Sequence, residues 1–180
     1  MAEGDRVGIG GWITTKQGMA WFAEAWTMEE VRSTWPFLTK DAQKYIACFE
    51  TLAQLALAMT ARERHAFSQF SVCLPLQSDN TPSEAGINKL FTTSWPLSQF
   101  LQLIASWSSC HGVDLQVSHV AGAHNQWADD LSRGHVVWTP KHNQPIVAQT
   151  GPPPPPAVGD TCLLPYRLDL SLKWGSLCLG

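Results

Sequence analysis

The run SHVAGAHNQWADDLSRG, residues 118–134, decides how this chain is interpreted. It overlaps the alternating segment VDLQVSHV (113–120), which predicts a strand, and its second half, 125–133, predicts a short helix. Asp129 and Asp130 lie in the first turn of that helix, where the helix dipole favours negative charge in any protein. They are therefore either part of a catalytic site or the charged start of a surface helix. Only one of them can face the sheet, because successive helical residues point about 100° apart.

The rest of the chain predicts a mixed α/β domain. GIGGWITT (8–15) and residues 17–27 suit two strands joined by a turn, and residues 41–64 form a long helical pattern with an apolar stripe. The other predicted elements are a loop or short helix at 27–38, a buried strand at 71–76, helices at 83–91 and 97–108, and the last strand and helix. We therefore expect a sheet flanked by helices.

Composition changes after Gly134. The segment GPPPPPAVGD (151–160) is typical of a polyproline II spacer, and the last twenty residues carry few helical or strand signals. We therefore predict one domain over residues 1–140, followed over 141–180 by a proline-rich linker and a poorly structured tail.

Bulk composition narrows the class of protein. The chain has 180 residues and a formal net charge of −3. This charge argues against nucleic-acid binding driven by the chain's own charge, but not against a nuclease whose metal ions supply positive charge.

The five cysteines are widely spaced and include no CxxC pair, so we expect neither a zinc site nor a disulfide framework. An intracellular compartment, cytoplasmic or nuclear, is predicted. No apolar run reaches the roughly 18 residues of a membrane span, so no membrane association is expected.

Two further carboxylates lie where a site could form. Glu50 lies on or beside the apolar stripe of the long helix, either with its head reaching water or aimed inward to hold a cation. Asp79 follows the buried strand, either as a turn aspartate or as an active-site residue at the carboxyl end of a strand. With Asp129, they could converge on one edge of the sheet. Converging carboxylates suit hard divalent cations, and two such ions about 4 Å apart can activate water for phosphodiester hydrolysis.

The run HVAGAHNQWADDLSR (119–133) resembles a known family pattern, H-[IV]-x-G-x-x-N-x-x-A-D-x-L-S-R. That pattern closes the ribonuclease H domain of retrotransposon reverse transcriptases. Upstream, GIGGW (8–12) resembles the family's glycine motif, FETLAQL (49–55) its acidic helix and SDN (78–80) its acidic strand end. Order and approximate spacing agree over about residues 1–134, so the resemblance covers most of the predicted domain.

The resemblance implies an α/β, RNase H-like fold with a mixed five-stranded sheet flanked by helices. It implies Mg²⁺-dependent hydrolysis, with Mn²⁺ as a substitute ion, of the RNA strand of an RNA–DNA hybrid. It makes Glu50, Asp79 and Asp129 metal-binding catalytic carboxylates. Asp129 is preferred to Asp130 because the family's A-D-x-L-S-R fixes which aspartate follows the alanine. His124, in the loop before the last helix, would assist proton transfer or product release unless it is an ordinary surface residue.

The resemblance also gives the positions of His119 and Asn125. His119 ends the last strand at the family's histidine position, and Asn125 begins the last helix. Among the basic residues, Arg133 and Lys141 could touch phosphates, but the chain has only 12 Lys and Arg in total. Hybrid binding would therefore depend on an adjacent reverse transcriptase polymerase domain.

The chain departs from the family at the first catalytic aspartate, which belongs before the glycines in a D-A-x motif. Only Asp5 precedes Gly8, and it is not followed by alanine. Either the chain is truncated at its N-terminus, with weak or absent cleavage, or Asp5 serves as that metal ligand. The alternative function is a decayed or truncated RNase H-like domain with a binding or structural role only. An integrase-type nuclease fits less well, because its last acidic residue is usually a helical glutamate.

Overall fold

The computed structural model describes residues 2–3, 5–15, 18–65 and 72–133. The strands are β1 (Ala2–Glu3), β2 (Arg6–Thr15), β3 (Gly18–Thr27), β4 (Val72–Ser78) and β5 (Val113–His119). The helices are α1 (Met28–Thr34), α2 (Ile46–His65), α3 (Thr81–Lys89), α4 (Leu97–His111) and α5 (Gln126–Ser132), with 3₁₀ turns at Ala42–Tyr45 and Gly122–His124. This order confirms the predicted mixed α/β class. The predicted linker and tail, and the boundary near 140, lie outside the described residues.

The described strands form two sheets. In the first, β2 lies between β1 and β3 and pairs antiparallel with both, so that Trp12 lies opposite Trp21. In the second, β4 and β5 run parallel, and Ser78 at the end of β4 lies beside His119 at the end of β5. Since parallel strands end at the same edge, the segments that follow β4 and β5 begin side by side.

The prediction of a single five-stranded sheet is not confirmed in the described part of the chain, where no strand joins β2 to β4. Strand β1 pairs with Arg6 and Val7 of β2. An alternating apolar pattern shows which side chains face the core, but it does not say which strands are neighbours when they are far apart in the sequence. The described residues form two sheets, one of three strands and one of two.

Helix α2 forms the centre of the core. The long helical pattern contains no Gly or Pro, and only its first turn differs from the prediction, because it is a 3₁₀ turn. Phe49, Leu52 and Leu55 are each at most 2% exposed, and burying such a side chain stabilises a fold by roughly 1.5–3 kcal/mol. Helix α2 contacts β2, β4, α3 and α4. Within the described ranges, no helix is both long and apolar enough to cross a bilayer.

Helix α3 is held against β5 by an asparagine side chain. Asn88 Nδ2 donates to the carbonyl of Val117 at 2.7 Å, and the Val117 N–H donates to Asn88 Oδ1 at 2.8 Å. The helix begins at Asn80, whose Oδ1 accepts a hydrogen bond from the Ser83 N–H at 2.9 Å. These contacts fix both ends of α3 and so define where Asp79, the residue between β4 and Asn80, is placed.

Helix α5 packs directly on β2. A Cβ atom added at Gly8 would collide with the carbonyl oxygen of Ser132, and one added at Gly10 would lie 2.5 Å from the Ser132 nitrogen. Trp127 of α5 and Trp12 of β2 make an edge-to-face contact, with ring centroids 5.6 Å apart. The glycines therefore allow the backbone of α5 to approach the strand with no side chain between them.

Gly10→Ala is expected to destabilise the fold by about 1–3 kcal/mol, because the new methyl group would meet the backbone of α5. Thermal unfolding followed by circular dichroism measures the effect. Gly122→Ala is the matched control, since the nearest atom to its added Cβ is Asp79 Oδ2 at 3.6 Å, an ordinary contact. Equal melting temperatures for the two variants would contradict the close packing of α5 on β2.

Candidate active site

An open pocket with about 310 Å³ of empty space, part of it open to solvent, lies where α2, β2, the end of β4 and α5 meet. Three carboxylates from separate elements line it: Glu50, Asp79 and Asp129. The other lining residues are Gly8, Ile9, Gly10, Ala53, Asn125, Ala128 and Ser132. The structure therefore brings together the three acidic residues that the sequence singled out.

Glu50 is the most deeply placed of the three carboxylates. It is half-buried on α2, between the buried residues Phe49 and Thr51. Burial raises the pKa of Glu50 above its usual value of 4.5, and the negative charges of Asp79 and Asp129 raise it further. Two interpretations were possible for Glu50: a carboxylate that reaches water or one that points inward. The structure favours the second, since Glu50 lines the pocket with the other two carboxylates.

Asp79 reaches the pocket because of the parallel pairing of β4 and β5. It follows the buried Ser78, whose carbonyl accepts a hydrogen bond from the Val120 N–H at 3.0 Å. This bond holds the segments after the two strands together, and Gly122 in the second segment lies beside Asp79 Oδ2. Asp79 is exposed, so it forms the open side of the pocket.

Asp129 is engaged in an ion pair within α5. Its Oδ2 accepts a hydrogen bond from Arg133 Nε at 2.8 Å, with the i,i+4 spacing of helical ion pairs. The side chains are 45% and 41% exposed, respectively, so the pair contributes little to stability. Arg133, expected to touch phosphates, thus contacts a pocket carboxylate in the structure. Asp130, next to Asp129, does not line the pocket.

Of the other candidate residues, Asn125 lines the pocket, whereas Asp5, His119 and His124 do not. Asp5 is exposed between β1 and β2, where its carbonyl accepts a hydrogen bond from the Met28 N–H at 2.8 Å. His124 is exposed at the end of its 3₁₀ turn. His119 lies at the end of β5 with its Nδ1 3.7 Å from Glu84 Oε2. The structure does not bring these three described residues to the carboxylates, and their roles in metal binding or proton transfer stay predictions.

Metal binding was the main chemical expectation for this pocket. Among the described residues, no group of three or more His, Cys, Asp or Glu side chains is arranged to hold a metal ion. The three carboxylates therefore do not form a closed cage. Mg²⁺ usually keeps several waters and binds through one or two carboxylates, so the oxygen-only donors of an open pocket suit it chemically. Burial is the main cause of the raised pKa of Glu50, and the charges of Asp79 and Asp129 add to it; a bound cation would relieve that added repulsion.

Thiol chemistry is disfavoured at this site. Cys48 lies two residues before Glu50, but burial raises the pKa of its thiol to about 12, so it stays protonated at neutral pH. Cys73 and Cys110 are exposed and do not line the pocket. The acidic side chains are therefore the chemically relevant groups of the pocket.

Sequence reasoning missed two features of the site. Gly8 and Gly10 belong to a predicted strand and to the family's glycine motif, but the sequence does not show that they line the pocket together with Ser132. The ion pair between Asp129 and Arg133 was also missed, although their spacing of four residues in a predicted helix is a usable signal. No signal in the sequence indicated which strand face α5 would cover.

The described residues define a mixed α/β protein with an acidic pocket between a strand, a strand end and two helices. Comparisons with protein-family models, curated proteins and solved structures give no match. The chemistry of the pocket and the motif resemblance are therefore the basis for a functional proposal.

Glu50→Gln is expected to raise the melting temperature at pH 7 and to leave it unchanged near pH 4. A raised pKa means that the folded state binds this proton more tightly than the unfolded state, whose value is near 4.5. That contribution to stability is complete below the unfolded value and is lost as the pH rises through the folded one. Glutamine has no proton to lose, so the variant avoids the loss.

Thermal unfolding at the two pH values checks this expectation. Asp114→Asn, which changes an exposed carboxylate on β5, is the control and should show no comparable gain at pH 7. A lower melting temperature for Glu50→Gln than for the wild type at pH 7 would contradict the burial of Glu50 beside two other carboxylates.

Proposed function

We propose that this chain is a ribonuclease H-type hydrolase, a Mg²⁺-dependent endonuclease that cleaves the RNA strand of RNA–DNA hybrids as part of a retroelement reverse transcriptase. The observation that carries the proposal is that Glu50, Asp79 and Asp129 line one pocket although they come from three separate elements. The run 119–133 supports it, because its resemblance to the family's closing motif selects the aspartate that lines this pocket. The mixed α/β scaffold is consistent with an RNase H-like fold.

The chemistry proposed for the pocket uses the carboxylates as ligands. Glu50, Asp79 and Asp129 would hold Mg²⁺, or Mn²⁺ in its place, and the bound ion would activate water and stabilise charge on the phosphodiester. Asp79 and Asp129 form the more exposed side of the pocket, where a nucleic-acid backbone can approach. Glu50 lies deeper, where lower hydration strengthens its attraction to a cation.

The proposed partners follow from the charge of the chain. The formal net charge is −3 and three acids lie at the site, so the chain alone would repel the negatively charged phosphates of a hybrid. The proposal therefore includes an adjacent polymerase domain that supplies most of the phosphate contacts. An intracellular compartment, cytoplasmic or nuclear, is part of it, since Cys48, Cys73 and Cys110 are free thiols.

A second candidate function is a domain that keeps the fold and only binds a partner. Three observations favour it. The described residues hold no cluster of three metal ligands, and Asp129 is already paired with Arg133. The position of Asp5 outside the pocket also leaves the site without a fourth carboxylate from the described residues.

Asp129→Asn is expected to slow cleavage of a labelled hybrid by more than about 100-fold, because loss of a metal ligand removes several kcal/mol of transition-state stabilisation. Asp130→Asn is the matched control and should change the rate by less than about twofold, because Asp130 does not line the pocket. The assay uses the 180-residue chain with end-labelled RNA annealed to DNA, in Mg²⁺, in Mn²⁺ and with chelator. Products are resolved by denaturing gel, and hybrid binding is measured by fluorescence anisotropy.

The outcomes separate the two candidate functions. Equal cleavage by Asp129→Asn and the wild type would remove Asp129 from catalysis. Binding of the hybrid without cleavage in either metal would overturn the hydrolase proposal and support the binding role. Cleavage that persists in chelator would contradict a metal-dependent mechanism.

A further inference from the structure

Gln54 connects the helix that carries Glu50 to the strand that leads to Asp79. Its side chain is buried, with 6% exposed, and its Nε2 donates to the carbonyl of Gln77 at 2.9 Å. Gln77 lies two residues before Asp79, and Gln54 lies one helical turn after Glu50, on the same face of α2. One hydrogen bond therefore spans the two elements that carry two of the three pocket carboxylates.

The same side chain carries an unsatisfied polar atom. Gln54 Oε1 is buried and has no hydrogen-bond partner among the described residues. Leaving a buried acceptor unpaired is costly, whereas an apolar side chain of similar shape would avoid that cost. Stability alone therefore does not account for a glutamine at this position, and the bond to Gln77 is the contact that an apolar residue could not replace.

A second polar contact anchors the chain on the other side of Asp79. Thr51 Oγ1 and Ser83 Oγ are 3.0 Å apart in the core, and Ser83 lies in the first turn of α3. Asp79 is thus placed between Gln77 and Ser83, both of which are tied to α2. Since Glu50 is also on α2, these two contacts hold the helix that carries Glu50 against the chain on both sides of Asp79.

We propose that Gln54 is a positioning residue, which holds Asp79 at the distance from Glu50 at which a divalent cation can be shared. The inference rests on the proposed function, because it concerns the same pocket. Gln54 itself does not line the pocket, so it acts through the backbone at Gln77 and touches neither the ion nor a substrate. The structure therefore assigns it to the support of the site, in the way that residues around metal ligands fix ligand geometry.

The test replaces Gln54 by methionine, which has a similar shape and cannot donate to Gln77. Mn²⁺ binding to the full chain is measured by electron paramagnetic resonance at neutral pH, and stability by thermal unfolding. Gln54→Met is expected to weaken Mn²⁺ binding by about tenfold while the melting temperature stays equal or rises. A purely structural role predicts a lower melting temperature and unchanged affinity in the folded fraction.

Thr60→Val is the matched control. Thr60 is a partly buried polar residue on the same helix, and its hydroxyl donates to Ala56 within α2, so it connects no second element. The variant should leave Mn²⁺ affinity unchanged. A similar loss in Thr60→Val and Gln54→Met would assign the effect to the helix as a whole and overturn the inference.

The remaining outcomes distinguish this inference from the proposed function. Mn²⁺ binding to Gln54→Met with wild-type affinity would overturn the positioning role and leave the hydrolase proposal standing. Absence of Mn²⁺ binding to the folded wild type would overturn the hydrolase proposal itself. If the methionine variant does not fold, Gln54→Leu repeats the comparison, and failure of both to fold would show that Gln54 is needed for stability and overturn the expectation.

Discussion

The approach of α5 to β2 is the contact on which the pocket depends. Asp129 lies on α5, the last described helix, and Glu50 lies on α2, which comes much earlier in the sequence. The two helices line the pocket together with β2. Helix α5 can deliver Asp129 to this place only because Gly8 and Gly10 present no Cβ toward it. The glycine motif is therefore a constraint on the site as well as on the strand, since it sets how near the third carboxylate comes to the other two.

Local patterns in the sequence predicted most of the elements, because burial repeats with a period the sequence displays. The alternation in 113–120 became β5, and the uninterrupted stripe after Asp41 became α2. The arrangement of strands into two sheets was not predictable in the same way, since it depends on backbone hydrogen bonds between distant segments. Likewise, the sequence placed Asp79 at a strand end, but only the parallel register shows that the segment after β5 lies beside it.

The acidic residues of the pocket do not stabilise the fold, but they suit a chemical role. Three carboxylates share the pocket; burial disfavours the charged form of Glu50, and the charges of the other two add to that effect. The only cation that the structure shows paired with one of these carboxylates, within the described residues, is Arg133 on Asp129. A fold gains nothing from collecting like charges in one place, so such a cluster is more characteristic of a functional site than of a structural one.

The side chain of Asn88 has a consequence for how the protein behaves in a crowded solution. An edge strand exposes backbone donors and acceptors that can pair with a strand of another molecule and start aggregation. At Val117 both of these groups are already bonded to the Asn88 amide, which copies the pairing that a neighbouring strand would offer. Helix α3 therefore closes this part of β5 to intermolecular sheet extension, and one amide side chain helps to keep the parallel pair within its own molecule.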